Sequence, residues 1–388
     1  MNASMPIELW IRILCMSEFL TKMRRNYLVS PFNMKYPSFL EKGLIPDFLI
    51  RIGIRRLLRE RLREEKKEHT DAQKKHLLNL IEELKNSPIA IETGSANKQH
   101  YEVPTEFYQL CLGKHLKYSS CFYKEGITDL NIAEHDMLEL TCERAELKDG
   151  MDILELGCGW GSLSLFMAEK YPKSNITSVS NSRTQKIFID EEAKKRGITN
   201  LTIITADMNT FSTDKKFGRV VSVEMFEHMR NYRELMKRIS TWLKEDGKLF
   251  VHIFTHKEYA YKFEVKDETD HASGQANWMS NYFFTGGIMP SNDLLFHFNE
   301  HLTKEKFWIV NGIHYSKTAE AWLKNMDIHK EEIIPIFEKS YGKESALKWF
   351  VYWRVFYLAC AELWKFNKGN EWMVCHYLFE KRATNFTN

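Results

Sequence analysis

A chain of 388 residues, 44% apolar and 13% aromatic, is long and apolar enough for a full α/β core with additional helical parts, and this excludes the disordered and low-complexity classes. Its net charge of +3 gives no general electrostatic case for nucleic acid. The seven cysteines (Cys15, Cys111, Cys121, Cys142, Cys158, Cys360 and Cys375) include no Cys-x-x-Cys pair, which argues against a zinc site or disulfide framework and for reduced thiols in a cytoplasmic protein. No apolar run approaches the roughly 18–20 residues of a membrane span. Glu8 and Arg12 interrupt the apolar residues near the start, so no secretory signal is expected.

In chain order, residues 1–95 read as a mostly helical N-terminal region. Within it, residues 51–67 hold eight basic side chains (Arg51, Arg55, Arg56, Arg59, Arg61, Arg63, Lys66, Lys67) against three acids, with Ile52, Ile54, Leu57, Leu58 and Leu62 as an apolar face. Such a helix can make weak contact with an anionic membrane surface. Its plainer reading is a solvated helix packed on the core. Residues 96–145 form a segment over the ligand site, and residues 146–256 form the sheet-building core. The polar stretch 266–275 reads as an exposed loop. Residues 257–388 mix aromatic helices with late strands at 294–299 and 307–310; a substrate lid and a final antiparallel hairpin of the sheet are expected there.

The most telling stretch is residues 153–161, Ile-Leu-Glu-Leu-Gly-Cys-Gly-Trp-Gly. An apolar strand runs into Glu155, Gly157, Gly159 and Gly161. The helix that follows offers free N–H groups, and glycines let the backbone approach a ligand closely. Nicotinamide, flavin and S-adenosylmethionine (SAM) sites all use such a turn. A nicotinamide fold places Asp or Glu about 20 residues further on. Here the second strand, 175–181, ends in Ser180-Asn181, followed by Ser182 and Gln185, so the amides of Asn181 and Gln185 are candidates for the ribose or amino-acid part of a ligand. The third strand, 201–205, runs into Asp207, suited to accept from an adenine amino group, and Met208, suited to cover the ring. The fourth, 218–223, ends at Val223 and delivers Glu224-Met225-Phe226-Glu227-His228 to the C-terminal edge, where open α/β sheets bind ligands. With a fifth strand at 247–254, the pattern predicts a Rossmann-like, doubly wound, mostly parallel α/β sheet, flanked by the N-terminal helical region and a C-terminal helical lid. His252 and His256 are four apart on a strand, which makes no compact metal pair, and no metal is expected.

On these residues the chain resembles the class I SAM-dependent methyltransferases, and more narrowly the coclaurine N-methyltransferase-like branch of the cyclopropane fatty acid synthase superfamily. The matching segments are Gln-His-Tyr-Glu-Val-Pro (99–104), Leu-Lys-Tyr-Ser-Ser-Cys (116–121), residues 155–161, Ser180-Asn181-Ser182 with Gln185, residues 223–232, Tyr-Phe-Phe-Thr-Gly-Gly-Ile-Met-Pro (282–290), 311–322 and 352–364. The resemblance implies SAM as cofactor, Tyr118 and Ser119 beside it, and Tyr101 as a partner of the amine or of SAM. It assigns Glu224, Glu227 and His228 as the catalytic or amine-holding residues.

Methyl transfer is an in-line displacement, so the acceptor lone pair must stand about 3–3.5 Å from the methyl carbon. An alkylamine with a pKa of about 10 arrives as a cation and cannot attack. Glu-x-x-Glu-His at a strand edge brings three polar side chains round one turn. His228 can accept a proton near pH 7, Glu227 can orient its ring, and Glu224 can hold the cation. Phe284, Trp349 and Trp353, with Phe283, Tyr352, Phe356 and Tyr357, are candidates for a flat apolar pocket in which a cation–π contact favours an amine. The reading is therefore a SAM-dependent N-methyltransferase of a small aromatic amine. A competing reading is an enzyme that forms cyclopropanes on phospholipid acyl chains, docking through residues 51–67. A non-catalytic SAM-binding protein is a third, and the intact Glu224, Glu227 and His228 set argues against it.

Two departures from the family pattern bear on that choice. Cyclopropane synthases carry a Cys in a Tyr-Ser-Cys segment that helps hold a bicarbonate ion, the base of their reaction. Here Ser120 takes that place, while Glu227, His252 and Tyr315 match the other positions of the bicarbonate site. Plant-type N-methyltransferases usually have an acid before the Trp-Met of the lid. Here it is Asn277, which implies an acceptor other than a benzylisoquinoline alkaloid.

Overall fold

The computed structural model describes residues 37–91, 103–263, 283 and 286–382. The chain divides into two compact units, 1–40 and 41–388. Of the first, only the start of a short helix, α1 (Pro37–Glu41), is described. The second unit carries the rest. Among the described residues, the helices that precede its sheet are α2 (Asp47–Glu65), α3 (Thr70–Lys85), α4 (Thr105–Cys111) and α5 (Leu130–Arg144). The sheet then alternates with helices: β1 (Asp152–Leu156), α6 (Ser162–Lys170), β2 (Asn175–Ser180), α7 (Arg183–Lys195), β3 (Leu201–Thr205), β4 (Phe217–Val223), α8 (Tyr232–Trp242) and β5 (Leu243–His256). Two short strands, β6 (Tyr261–Lys262) and β7 (Ile288–Met289), pair separately. The chain closes with β8 (Leu302–Val310), α9 (Ile313–Ile328), α10 (Lys330–Tyr341), α11 (Ala346–Lys365) and β9 (Trp372–Lys381).

The sheet order is β3-β2-β1-β4-β5-β9-β8. The first five strands are parallel, and β9 runs antiparallel to both β5 and β8. Runs such as Ile153-Leu154 in β1 and Val220-Val221 in β4 are buried because helices cover both faces. The crossover helices start where side chains replace missing backbone partners: Ser182 accepts from Gln185 N, and Asn231 accepts from Glu234 N. Leu235, Met236, Ile239 and Trp242 place one apolar stripe of α8 on the sheet.

The strands expected at 175–181, 201–205, 218–223 and 247–254 are present within a few residues. Two late expectations are corrected. Residues 294–299 do not form a strand: Leu294–His297 is a 3₁₀ turn, with Leu294, Leu295 and Phe298 buried together. Burial at i, i+1 and i+4 is a helical period, not a strand's, and Ser291 Oγ donating to Asp293 Oδ1 at 2.6 Å shapes the turn. The last strand pair is antiparallel but is no hairpin, because α9, α10 and α11 lie between β8 and β9. β9 is inserted between β5 and β8, which explains why nearly all of it is buried.

The basic helix at 51–67 packs inward. Ile54, Leu58 and Leu62 lie against the aromatic cluster built by α9 and α11, whereas Ile52 is exposed. Much of its charge is used within the chain. Arg51 bonds Glu320 at 2.6 Å and Glu362 at 2.9 Å, Arg55 bonds Glu362 at 2.5 Å, and Arg61 pairs with Glu64 and Glu65. Arg61 also lies 5.3 Å over the Tyr261 ring. Glu362 is almost fully buried, and its removal takes the carboxylate partner from Arg55 and leaves Arg51 with Glu320 alone. Glu362→Ala is expected to lower stability by about 2–3 kcal/mol in urea unfolding, less than a fully buried pair because the arginines still reach water. Arg59→Ala, an exposed side chain on the same helix, should change it by less than about 0.5 kcal/mol.

Candidate active site

β1 and β4 are neighbours, and strand order reverses beside them, which leaves a crevice at their C-terminal ends. The turn after β1 enters this crevice. Gly157 (φ +81°) and Gly159 (φ +51°) both take a left-handed conformation, for different reasons. A Cβ on Gly157 would stand 2.7 Å from Cβ and Cγ of Met225, so Gly157 lets the two strand ends close on each other. A Cβ on Gly159 would meet nothing within 4 Å. Gly159 lines a cavity.

Tyr118, Ser119, Glu155, Gly157, Gly159, Asn181, Gln185, Asp207, Met208 and Val223 all line this one cavity, together with Glu224 and His228. Glu155 is buried; its Oε2 accepts from Ser178 Oγ at 3.0 Å and from Ser164 Oγ, and burial pushes its carboxyl up to about 7. Ser180 Oγ donates to Gln185 Oε1 at 2.7 Å, which turns the amide so that its buried Nε2 has no hydrogen-bond partner among the described residues. Asp207 Oδ1 accepts from Asn209 N at 2.7 Å.

A second group of polar residues on the cavity wall is organised around Glu224. This residue has φ +47°, a conformation uncommon for a side-chain-bearing residue and typical of constrained sites. Its N–H donates to His252 O at 2.8 Å. Its Oε1 accepts from Ser120 N at 2.9 Å and lies 3.2 Å from His252 Nε2; its Oε2 accepts from Tyr315 O–H at 2.6 Å. The Tyr315 ring stacks on Trp364 with centroids 4.6 Å apart. Glu227 differs. It is fully buried and does not line the cavity; Oε1 accepts from Phe254 N at 3.2 Å, and Oε2 has no partner among the described residues. Burial raises both carboxyls. Glu227 has one donor and faces the charge of Glu224, so it is the higher of the two and takes a proton first, leaving Glu224 as the anion.

Glu227 makes no hydrogen bond to His228, so the expected orienting contact is absent. Its partner is the backbone of β5, because Phe226–His228 forms a 3₁₀ turn instead of continuing into a helix. Trp349 and Trp353 do not line the cavity. Trp349 stacks on Tyr341, and Trp353 is buried against Phe107 and Phe283. On α11 they share a stripe with Phe356 and Cys360, and only the last two reach the cavity. Tyr101, Phe284 and Asn277 lie outside the described residues.

Three wall residues were not assigned from sequence. Lys117 is buried and donates to Ser119 Oγ and to Ser120 O at 2.7 Å; burial lowers the pKa of its ammonium. The loop that carries it is fixed by Glu134, which accepts from the backbone N–H groups of Gly113, His115 and Lys117. Trp322 and Phe254 also line the cavity. The run Leu-Lys-Tyr-Ser-Ser-Cys held the signal for Lys117, since a lone lysine among small and aromatic residues is out of place in a solvated loop.

With the geometry in view, likeness to known proteins can be placed. The family described as mycolic acid cyclopropane synthetase matches residues 90–371. The (S)-coclaurine N-methyltransferase of Thalictrum flavum subsp. glaucum is 41% identical over 347 residues, 88% of this chain and 94% of that protein. The crystal structure of a coclaurine N-methyltransferase bound to N-methylheliamine and SAH superposes with a TM-score of 0.84 at 38% identity, covering 89% of this chain and 98% of the other. The cyclopropane-fatty-acyl-phospholipid synthase of Escherichia coli (strain K12) is 29% identical over 228 residues, 58% of this chain and 54% of that one. The chain therefore belongs to the mycolic acid cyclopropane synthetase family, in its coclaurine N-methyltransferase-like branch, and is a SAM-dependent methyltransferase.

Proposed function

We propose that this enzyme methylates the nitrogen of a small aromatic amine. The observation that carries the reading is a single cavity lined both by the glycine turn and by the carboxyl of Glu224 with the imidazole of His228. The residues present fit SAM. Gln185 Nε2 is a buried donor facing a cavity wall, Gly159 leaves open space in front of the backbone, and Asp207 with Met208 stands at the far side. Tyr118, Ser119, Glu155, Asn181 and Val223 complete the set that would hold it. When bound, SAM supplies a methyl group on a positively charged sulfur.

The acceptor arrives protonated, since its pKa is about 10. Glu224, whose carboxyl accepts from Ser120 N and Tyr315 O–H and lies 3.2 Å from His252 Nε2, holds that cation. His228, on the same cavity wall, takes the proton, and the neutral nitrogen then carries a lone pair. Glu227 acts from behind the wall as a positioning residue through Phe254 N. Phe254, Tyr315, Trp322 and Phe356 exclude water and offer ring faces to a cation. The names of the relatives, coclaurine and pavine N-methyltransferases, fit an aromatic amine acceptor.

A specific contact set disfavours the lipid reading. That chemistry needs a bicarbonate ion held by residues at positions 120, 227, 252 and 315. In this chain Ser120 N, His252 Nε2 and Tyr315 O–H converge on the Glu224 carboxylate instead. The donors of an ion site already serve a carboxylate of the chain itself.

Three outcomes test this function. Gln185→Leu should weaken SAM binding about 10–100-fold by calorimetry, with NAD unbound by the parent enzyme; tight NAD binding overturns the cofactor assignment. A panel of aromatic amines, heliamine among them, should give N-methylated products by mass and fragmentation, while vesicles of unsaturated phospholipid stay unmodified. His228→Ala should lower turnover about 10²–10⁴-fold with SAM affinity kept. The defect should shrink as pH rises toward about 10, where the substrate is already neutral. Unchanged turnover across that range removes His228 from the mechanism.

A further inference from the structure

Behind Glu224, its contact His252 continues into a polar chain, His376 and Arg144, that the proposed chemistry does not use. His252 on β5 and His376 on β9 are Cα partners in register, and both are buried. His376 Nε2 lies 2.9 Å from His252 Nδ1, and His252 Nε2 lies 3.2 Å from Glu224 Oε1. At the other end, Arg144 Nη1 lies 2.9 Å from His376 Nδ1. Arg144 ends α5 and is half-buried, its guanidinium 5.2 Å over the Trp308 ring, on the residue paired with His376 across β8.

Elementary bookkeeping of protons leaves one arrangement. A guanidinium only donates. His376 Nδ1 must therefore accept, and its proton sits on Nε2. His252 Nδ1 must then accept from His376, and its own proton also sits on Nε2, aimed at Glu224. An imidazolium at either position would place two donors face to face. Both rings are neutral and both are Nε2–H tautomers. The same burial that hides them lowers their pKa values well below the ordinary value, in agreement. The chain is directed from a permanent cation to a carboxylate. It cannot carry a proton away, because Arg144 has no site to receive one.

We propose that Arg144, His376 and His252 form a positioning relay that locks the tautomer donating to Glu224, keeps Glu224 as the anion of the Glu224–Glu227 pair, and so sets the acid limb of amine methylation. The proposal rests on the N-methyltransferase reading of the site. The groups facing Glu224 are Glu227 and His228 on its own turn, Lys117 and Cys121 from the loop before α5, Tyr315 from α9, Cys360 from α11 and His252 from β5. Of these, His252 alone has its donor atom dictated by a second imidazole. Without His376, its proton can move to Nδ1, Nε2 becomes an acceptor facing a carboxylate, and Glu224 gains a proton at higher pH.

The test has two arms. In histidine-labelled full-length enzyme, nitrogen NMR should show His252 and His376 as neutral Nε2–H tautomers from pH 6 to pH 9; an imidazolium or an Nδ1–H tautomer at either overturns the relay. This arm needs no acceptor, so it stands apart from any failure to methylate amines. In the second arm, with heliamine as probe, His376→Leu should move the acid limb of kcat/KM upward by about one unit, a roughly tenfold loss on that limb that fades at high pH. SAM affinity should stay unchanged. His376→Gln, whose amide can still donate to His252 Nδ1, should remain within about threefold of the parent. Should the leucine variant fail to fold, Arg144→Met frees the His376 tautomer from the half-buried end and should shift the limb the same way. Equal, pH-independent losses in the leucine and glutamine variants mean packing alone and overturn the proposal.

Discussion

A buried carboxylate on a left-handed residue, tied by three donors from three separate parts of the chain, is the constraint around which this structure is arranged. Glu224 draws one hydrogen bond from the loop before α5, one from β5 and one from α9. Each donor would be costly to leave unpaired in a dry interior, and the charge would be costlier still. The three elements are therefore held at a common distance from the end of β4. Gly157 contributes on the other side, since only a residue without Cβ lets the β1 turn close on Met225. The glycine turn and the contacts of Glu224 are thus fixed to each other through two consecutive residues, 224 and 225.

The two carboxylates show how one short turn separates two states. Glu224 and Glu227 are three residues apart, yet the first lines the cavity and has three polar contacts while the second is fully buried and accepts a single backbone N–H. Like charges this close do not both ionise readily. The donor count decides which of the pair bears the charge, and the 3₁₀ geometry of residues 226–228 decides which side chain faces the cavity. The difference between binding an ion and being the ion follows from the same count: once a side-chain carboxylate takes up Ser120 N, His252 and Tyr315, a free anion has no donors left there.

Most of the parallel sheet, and the grouping of several residues on one cavity wall, were legible in the sequence because they are local. A strand, a glycine turn and a helix occupy contiguous residues, so Glu155, Gly157, Asn181, Gln185 and Asp207 can be read off their own segments. The acceptor wall was less legible because it is built from distant segments. The stripe through Trp349, Trp353, Phe356 and Cys360 is periodic, but periodicity does not say which end of a helix meets a cavity; the end that does is the one nearer β9. The 294–299 segment failed for a related reason. Its alternation of apolar residues suits a strand, while local side-chain bonding at Ser291 and Asp293 imposed a turn. The basic helix matched its plainer reading, because its arginines found Glu320 and Glu362, partners some 270 and 310 residues away that no local pattern announces.

β9 ties the topology to the chemistry. Without β9 the parallel part of the sheet would end at β5, with no strand residue paired to His252 on that side. Inserting an antiparallel strand between β5 and β8 sets His376 opposite His252 and Trp308 opposite His376 in one row across three strands. Side chains in such a row share a face, and a slip of one residue would send every member of β9 to the other side. Register therefore does more here than pair backbone groups. It builds, from a strand at the far end of the chain, the second imidazole that gives the first one a defined donor, and Arg144, stacked on Trp308, closes the row with a charge that cannot titrate. An antiparallel addition to a parallel nucleotide-binding core thus reaches the reacting end of the cavity without lining it.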